Sequence, residues 1–444
     1  MNRSVLELPG PDYVLAQARV PACFLSHLPP GSVADDEGSV ALDIVVEHGR
    51  VLELSPGGAT VPDGLPRVDV GGRQLWATLV DMHAHLDKGQ VIPRVQPDGT
   101  LEGGARLTMN DRQRWTADDI AARMSFGLRC AYVHGVSAIR THLDSPEPLA
   151  ERSWTIFRRL REEWAGRVAL QAVAITPLAV FRTEWGNRLA DLAAASGGVL
   201  GGVTDALGVY EGAAGELLDD LLDRMFRIAG ERGLDVDLHV DQSDDLSMFA
   251  LPNIARSVLR TKFRGRVVCG HCVNLALQPE AVARSAIALA KDAGLSFVTL
   301  PTPMMYLQDR RPGRTPRWRG VTLAKELIDA GVPVAIGGDN CRDAWFPFGD
   351  HDMIDTLQQS VRVFQLDGPI AQALAMAGPT PSDIIGAGAI GRLQIGAPAD
   401  FIILAARTLN EAMCRPQSDR IVIRSGERVT APLPDYAELD PVLG

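Results

Sequence analysis

The chain has 444 residues, of which 46% are apolar and 22% charged, with a formal net charge of −11. Single cores stop growing near ~250–300 residues, so this length accommodates one large domain and a smaller one. The negative balance argues against a nucleic-acid or anionic-membrane partner, because phosphate binding needs a concentrated basic surface.

No basic-plus-apolar leader is visible, and no uninterrupted apolar run approaches membrane-spanning length, so no membrane partner is expected. The six cysteines (Cys23, Cys130, Cys269, Cys272, Cys341 and Cys414) lack the spacing of a disulfide framework. Cys269 and Cys272 form C-G-H-C, but no second ligand pair follows to complete a zinc knuckle. These features predict a cytoplasmic protein with reduced thiols.

In chain order, residues 1 to about 70 alternate short β-prone runs with turns. The runs are Tyr13–Val20, Val40–His48 and Arg50–Leu54. From residue 75 the text changes to apolar runs suited to buried parallel strands. These are Leu75–Met82, Val136–Leu143, Val168–Ile175, Val199–Val203, Leu234–Val240, Arg266–Gly270, Leu295–Leu300 and Pro333–Gly337. Helical spacing lies between them, at Ala117–Tyr132, Ser153–Trp164, Glu216–Gly233, Ala250–Lys262, Pro279–Ala293 and Thr322–Ala330. Eight strands alternating with helices predict a (β/α)8 TIM-type barrel, and no G-x-G-x-x-G or G-x-x-x-x-G-K motif supports a nucleotide fold. The arginines from Arg310 to Arg319 are interrupted by Pro312, Gly313, Pro316 and Trp318, and read as a solvated loop able to cover a site. After residue 390 the β-type text returns in GAPADFIIL and DRIVIRSGERV. The expected division is a small β-sandwich from 1–70 and 390–444, with a catalytic barrel at 71–389.

Chemistry in such a barrel sits at the C-terminal strand ends. The first strand ends LVDMHAHLDK, where alternation aims His83 and His85 into one space. The fifth supplies His239, with Asp241, Gln242, Asp244 and Asp245 beyond it; the sixth supplies His271; the eighth supplies Asp339 and Asn340. Any one histidine could be a core residue, but four strand ends agreeing point to a divalent metal. His142 ends the second strand and either lines the mouth or packs behind it. His134 reads as structural, and His27, His48 and His351 as surface. Three neutral imidazoles and one carboxylate would leave a position for water, lowering its pKa from about 15.7 towards ~7. Asp339 could take the water proton and pass it to a leaving nitrogen, and His271 could bond the attacking oxygen or ligate the metal. The expected reaction is attack of the metal-bound hydroxide on a planar carbon bonded to nitrogen.

The pattern resembles the amidohydrolase superfamily, and in detail its cytosine deaminase-like branch. The resemblance rests on DGTLEGGARL, GVSAIRTHLD, ALQAVAITP, HVDQSDD, RVVCGHC, LQDRRPGRTPRWRGVT and GGDNCRDAWFPFGDHDM. It implies one zinc or iron ion held by His83, His85, His239 and Asp339, with His271 against the metal-bound water. It further implies Gln171 on the amide face of a heterocycle and Trp345 beside the substrate. Two positions depart from the family pattern: Gln242 replaces the glutamate that shuttles a proton, and Asn340 replaces an aspartate. Gln242 can donate and accept hydrogen bonds but cannot transfer a proton at neutral pH. Lys88 could meet a substrate anion, although a salt bridge to Asp87 is the plainer reading.

The departures admit three explanations: a substrate needing no ring protonation, a proton carrier such as Asp241, Asp244 or Asp339, or a deliberately inactivated Glu-to-Gln form. The first leads. The expected protein is a metal-dependent hydrolase of a C–N bond in a small nitrogen heterocycle, and a homo-oligomer as is common for such barrels. The alternatives are a true pyrimidine deaminase and a non-catalytic barrel homologue.

Overall fold

The computed structural model describes residues 7–58, 64–205 and 214–444. The chain forms two compact units. The first takes Met1–Val80, Cys130–Ala138 and Asp352–Leu433; the second takes Asp81–Arg129, Ile139–His351 and Pro434–Gly444.

In the first unit, β1 (Tyr13–Pro21), β2 (Ser39–Glu47), β3 (Arg50–Pro56) and β4 (Arg67–Asp69) form one sheet in the order β3-β2-β1-β4. β2 turns into β3 through His48 and Gly49, at φ 52° and 73°. Two consecutive positive values suit the tight hairpin turn whose twist matches its strands. A side chain at Gly49 would also lie 2.5 Å from the Ser425 carbonyl, so glycine is required twice over.

The run expected as one strand, Leu75–Met82, divides at Thr78 into β5 (Leu75–Ala77) and β6 (Leu79–Ala84), which join different sheets. Every residue of both strands is buried, so the apolar text carries no alternation to mark the break. The Thr78 hydroxyl donates to Ser137 Oγ at 2.8 Å.

β6 opens the eight-stranded sheet. It continues through β7 (Val136–Asp144), β8 (Ala169–Ile175), β9 (Val199–Val203), β10 (Val236–Val240), β11 (Val267–His271), β12 (Ser296–Thr299) and β13 (Val334–Ile336). Neighbours follow chain order. A parallel bridge from Ala84 to Asp339, with the Asp339 N–H donating to the His83 carbonyl at 2.6 Å, brings the last strand's end back to the first. This is the (β/α)8 barrel expected from the alternation. β14 (Phe401–Ile403), β15 (Ile421–Arg424) and β16 (Glu427–Arg428) complete a second four-stranded sheet with β5, in the order β16-β15-β14-β5.

The expected helices are present with shifted ends, such as Leu149–Glu163 and Ala214–Glu231. Leu101–Asp111 was not expected, because Gly103 and Gly104 lower its helical propensity. Both are buried; Gly104 lies against Trp345, where a Cβ would come within 2.4 Å of the indole. Thr100 caps this helix by accepting from the Gly103 N–H at 2.9 Å.

Candidate active site

The candidate site lies within the second unit. His83 and His85 leave β6 two residues apart and share a face; both are buried. His239 lies on β10 and His271 ends β11, with His239 paired to Gly270 and Val240 to His271 in the parallel register. One nitrogen from each of His83, His85 and His239 falls within 4.8 Å of the others, and His83, His271 and Asp339 make an equivalent cluster. His85 Nε2 faces His239 Nε2 at 3.3 Å and lies 3.2 Å from Asp339 Oδ1. His83 Nε2 is 3.6 Å from the same oxygen. The four strand ends singled out in the sequence therefore converge.

The convergence has an electrostatic cost that a cation would relieve. Both nitrogens of His83 and of His271, His239 Nδ1 and both Asp339 oxygens are buried without a hydrogen-bond partner among the described residues. Each unmet group costs about 1–3 kcal/mol. Burial pushes His83, His85 and His239 well below the ordinary imidazole value, reinforced by their neighbours' charges. The rings are therefore neutral, the state that ligates metal. Burial lowers His271 to about 4, against the opposing pull of Asp339. Nitrogen donors and a carboxylate oxygen, unmet and converging, fit a divalent cation.

A set of partners fixes these rings from behind. His85 Nδ1 lies 3.3 Å from the His142 carbonyl, an arrangement that directs Nε2 inward. His142 is fully buried, its ring 3.9 Å from that of His83 and its Nε2 3.3 Å from Asp237 Oδ1. With His83 and Asp237 it makes a third group whose ligand atoms lie within 4.8 Å of one another. Asp237 also accepts from Arg140 Nη1 at 2.8 Å. Asp81 accepts from the N–H groups of His83 and Gly338, tying the first strand to the last. Arg123 donates to the carbonyls of Asp87 and Gly89 and grips Asp119, pinning the segment after His85 to the helix Ala117–Val133. These partners were invisible in the sequence, because their spacing along the chain matches no motif.

The remaining expected residues fare unevenly. Lys88 pairs with Asp144 at 3.9 Å rather than with Asp87, and its Nζ sits 4.1 Å over the Trp345 ring. Asp87 Oδ2 instead accepts the Asp144 N–H at 2.8 Å. Burial pushes the Asp144 carboxyl up, but Lys88 and Arg112 hold it down to about 2. Trp345 is fixed by its N–H donating to the Leu101 carbonyl at 3.1 Å. Asn340 is committed to Asp343 at 2.6 Å, and Gln171 Oε1 accepts from Arg140 at 3.0 and 3.1 Å. The Gln242 amide turns to Asp205, an acid just beyond β9 that no sequence motif marks. His351, expected at the surface, is buried, and Gly127 leaves room for its ring. No helix among the described residues is long and apolar enough to cross a membrane.

A barrel whose strand ends gather neutral imidazoles and a carboxylate carries a donor set able to hold a divalent cation. The family profile described as "Amidohydrolase family" matches residues 162–430. The chain is 43% identical over 436 residues to the pterin deaminase of Rhizobium rhizogenes, covering 97% of each. It is 24% identical over 401 residues to N-isopropylammelide isopropyl amidohydrolase of a Pseudomonas species, covering 86% of this chain and 92% of that protein. In structure it is similar to 5-methylcytosine deaminase from Klebsiella pneumoniae, with a TM-score of 0.77 at 22% identity, covering 94% of this chain and 98% of that one; this likeness concerns the fold. The chain belongs to the amidohydrolase family, and it is a hydrolase of carbon–nitrogen bonds.

Proposed function

We propose that this protein removes an amino group from a small nitrogen heterocycle, with a pterin-like ring as its first candidate substrate. The convergence of His83, His85, His239, His271 and Asp339 carries the reading. The pterin deaminase relative, aligned along nearly the whole chain, supports the ring type. His83, His85, His239 and Asp339 would hold one zinc or iron ion. Such an ion acidifies a water and stabilises the charge that develops during attack. His271 hydrogen-bonds the attacking oxygen, and Asp339 receives its proton. Gln242 takes part by holding a neighbouring carboxylate.

Lys88, half-paired beside the imidazoles, attracts an anionic edge or substituent of the ring. Trp345 holds Lys88 in place, and Gln171 and Asn340 present polar atoms to the heterocycle. Segments 1–70 and 390–444 serve as a structural β-domain to the 71–389 catalytic barrel. A cytoplasmic setting agrees with six cysteines that form no disulfide, and a homo-oligomer is proposed with it.

The test is ammonia release from a panel of pterins, pyrimidines, triazines and cyclic ureas, together with elemental analysis. Turnover of an amino-substituted ring, lost together with metal in Asp339→Ala, is the expected result. A metal-free protein purified from metal-replete cells, or an active and metal-replete Asp339→Ala variant, contradicts the reading.

A further inference from the structure

The segments that leave the first and last barrel strands are tied to each other by backbone hydrogen bonds. The Asp339 N–H donates to the His83 carbonyl, and the N–H groups of Gln90 and Val91 donate to the carbonyls of Cys341 and Arg342 at 3.1 and 2.9 Å. These crossings use an uncommon backbone: Gln90, Asp339 and Arg342 have φ of 64°, 62° and 51°. Residues other than glycine hold that left-handed region only where their surroundings fix it.

Arg342 shows what does the fixing. Its Nε is buried with no hydrogen-bond partner among the described residues, and its guanidinium lies 4.2 Å over the Tyr436 ring. Tyr436 belongs to Pro434–Gly444, which is part of the same unit. Its ring stacks on the buried Phe126 of the helix Ala117–Val133, with centroids 5.5 Å apart, and its hydroxyl donates to Asp350 Oδ1 at 3.4 Å. The segment around it is fastened too. Asp435 and Glu438 close a capping box about the turn that carries Tyr436, and Glu438 pairs with Arg129 at 2.7 Å. Arg94, just beyond Val91 and gripped by Asp111 and Asp119, donates to the Val442 carbonyl at 3.2 Å.

We propose that Tyr436 is a positioning residue for the metal-type cluster. Its π face holds the Arg342 guanidinium, which fixes the turn from Asp339 to Arg342 and so sets the Asp339 carboxylate against His83 and His85. The inference rests on the metal reading above. The quadrupole of an aromatic face attracts a cation, and an aliphatic chain of similar size does not. Loss of a residue that orients a ligand typically costs about 10- to 100-fold in metal affinity or activity.

The experiment loads the full chain with Co(II) and compares wild type with Tyr436→Ala, Tyr436→Leu and Tyr436→Phe. It reads the visible spectrum of the bound Co(II), its release to a chelator, and kcat and KM on pterin. In Tyr436→Ala and Tyr436→Leu the spectrum should change, release should quicken about tenfold, and kcat should fall about tenfold with KM within about twofold. Tyr436→Phe keeps the π face and should match wild type within about twofold. Arg342→Met should reproduce the losses, and Tyr436→Leu/Arg342→Met should be no worse than either single variant, because each removes the same link. Should Tyr436→Ala fail to fold, the comparison of Tyr436→Leu with Tyr436→Phe decides. Tyr436→Leu matching wild type in spectrum and release rate overturns the inference, as does an additive double variant. A wild type that takes up no Co(II) instead overturns the metal reading, and this inference with it.

Discussion

Arg140→Met removes the cation beneath the histidine cluster. The Arg140 and Asp237 side chains are 2% and 0% exposed and 2.8 Å apart, so solvent screens the pair little. At that separation an effective dielectric of 20 gives a Coulomb energy of about 6 kcal/mol. Desolvation offsets part of this; breaking one side of a buried pair typically costs about 3–5 kcal/mol. The loss should fall in that range, because Asp237 would keep only His142 as a side-chain partner among the described residues, and Gln171 Oε1 would lose two donors. Urea denaturation followed by tryptophan fluorescence measures it, with metal content determined on the same samples. The double variant Arg140→Met/Asp237→Asn should be at least about 1 kcal/mol more stable than Arg140→Met, since it leaves no uncompensated charge. A single variant costing under about 1 kcal/mol, or a double variant less stable than the single, would refute the argument.

Gly104→Ala places a methyl group 2.4 Å from the Trp345 indole, so the ring and the Lys88 ammonium above it must move. Steady-state kinetics should show KM rising several-fold for a carboxylated ring and little for its neutral analogue; equal effects on both count against an anion contact through Lys88. Stability should also depend on pH through Asp144, which folding holds at about 2. An unfolded aspartate titrates near ~3.9, so this contribution is present above that value and is lost as pH falls towards 2. Chemical denaturation between about pH 5 and 2 should show Asp144→Asn flattening the acid limb. An unchanged slope would mean that the Lys88 and Arg112 contacts do not hold the carboxylate.

The barrel and its metal-type cluster were legible because each has a local signature. Alternation places His83 and His85 on one face, and a histidine or acid closing an apolar run marks a strand end without knowledge of any neighbour. What stayed hidden depends on juxtaposition. The strand break at Thr78 leaves no trace in an apolar run buried on every face. Asp237 on β10 meets Arg140 and His142 on β7 across 97 and 95 residues of chain. Lys88 adjoins Asp87 in sequence yet pairs with Asp144 on β7, a neighbour that only the fold supplies.

Gln242 shows the same limit where it matters for chemistry. Read alone, it is an acid replaced by an amide and suggests a lost proton carrier. In the fold it is a donor to Asp205, whose carboxyl reaches it from the adjacent strand's end. A titratable group therefore stays at this corner of the barrel, one strand over.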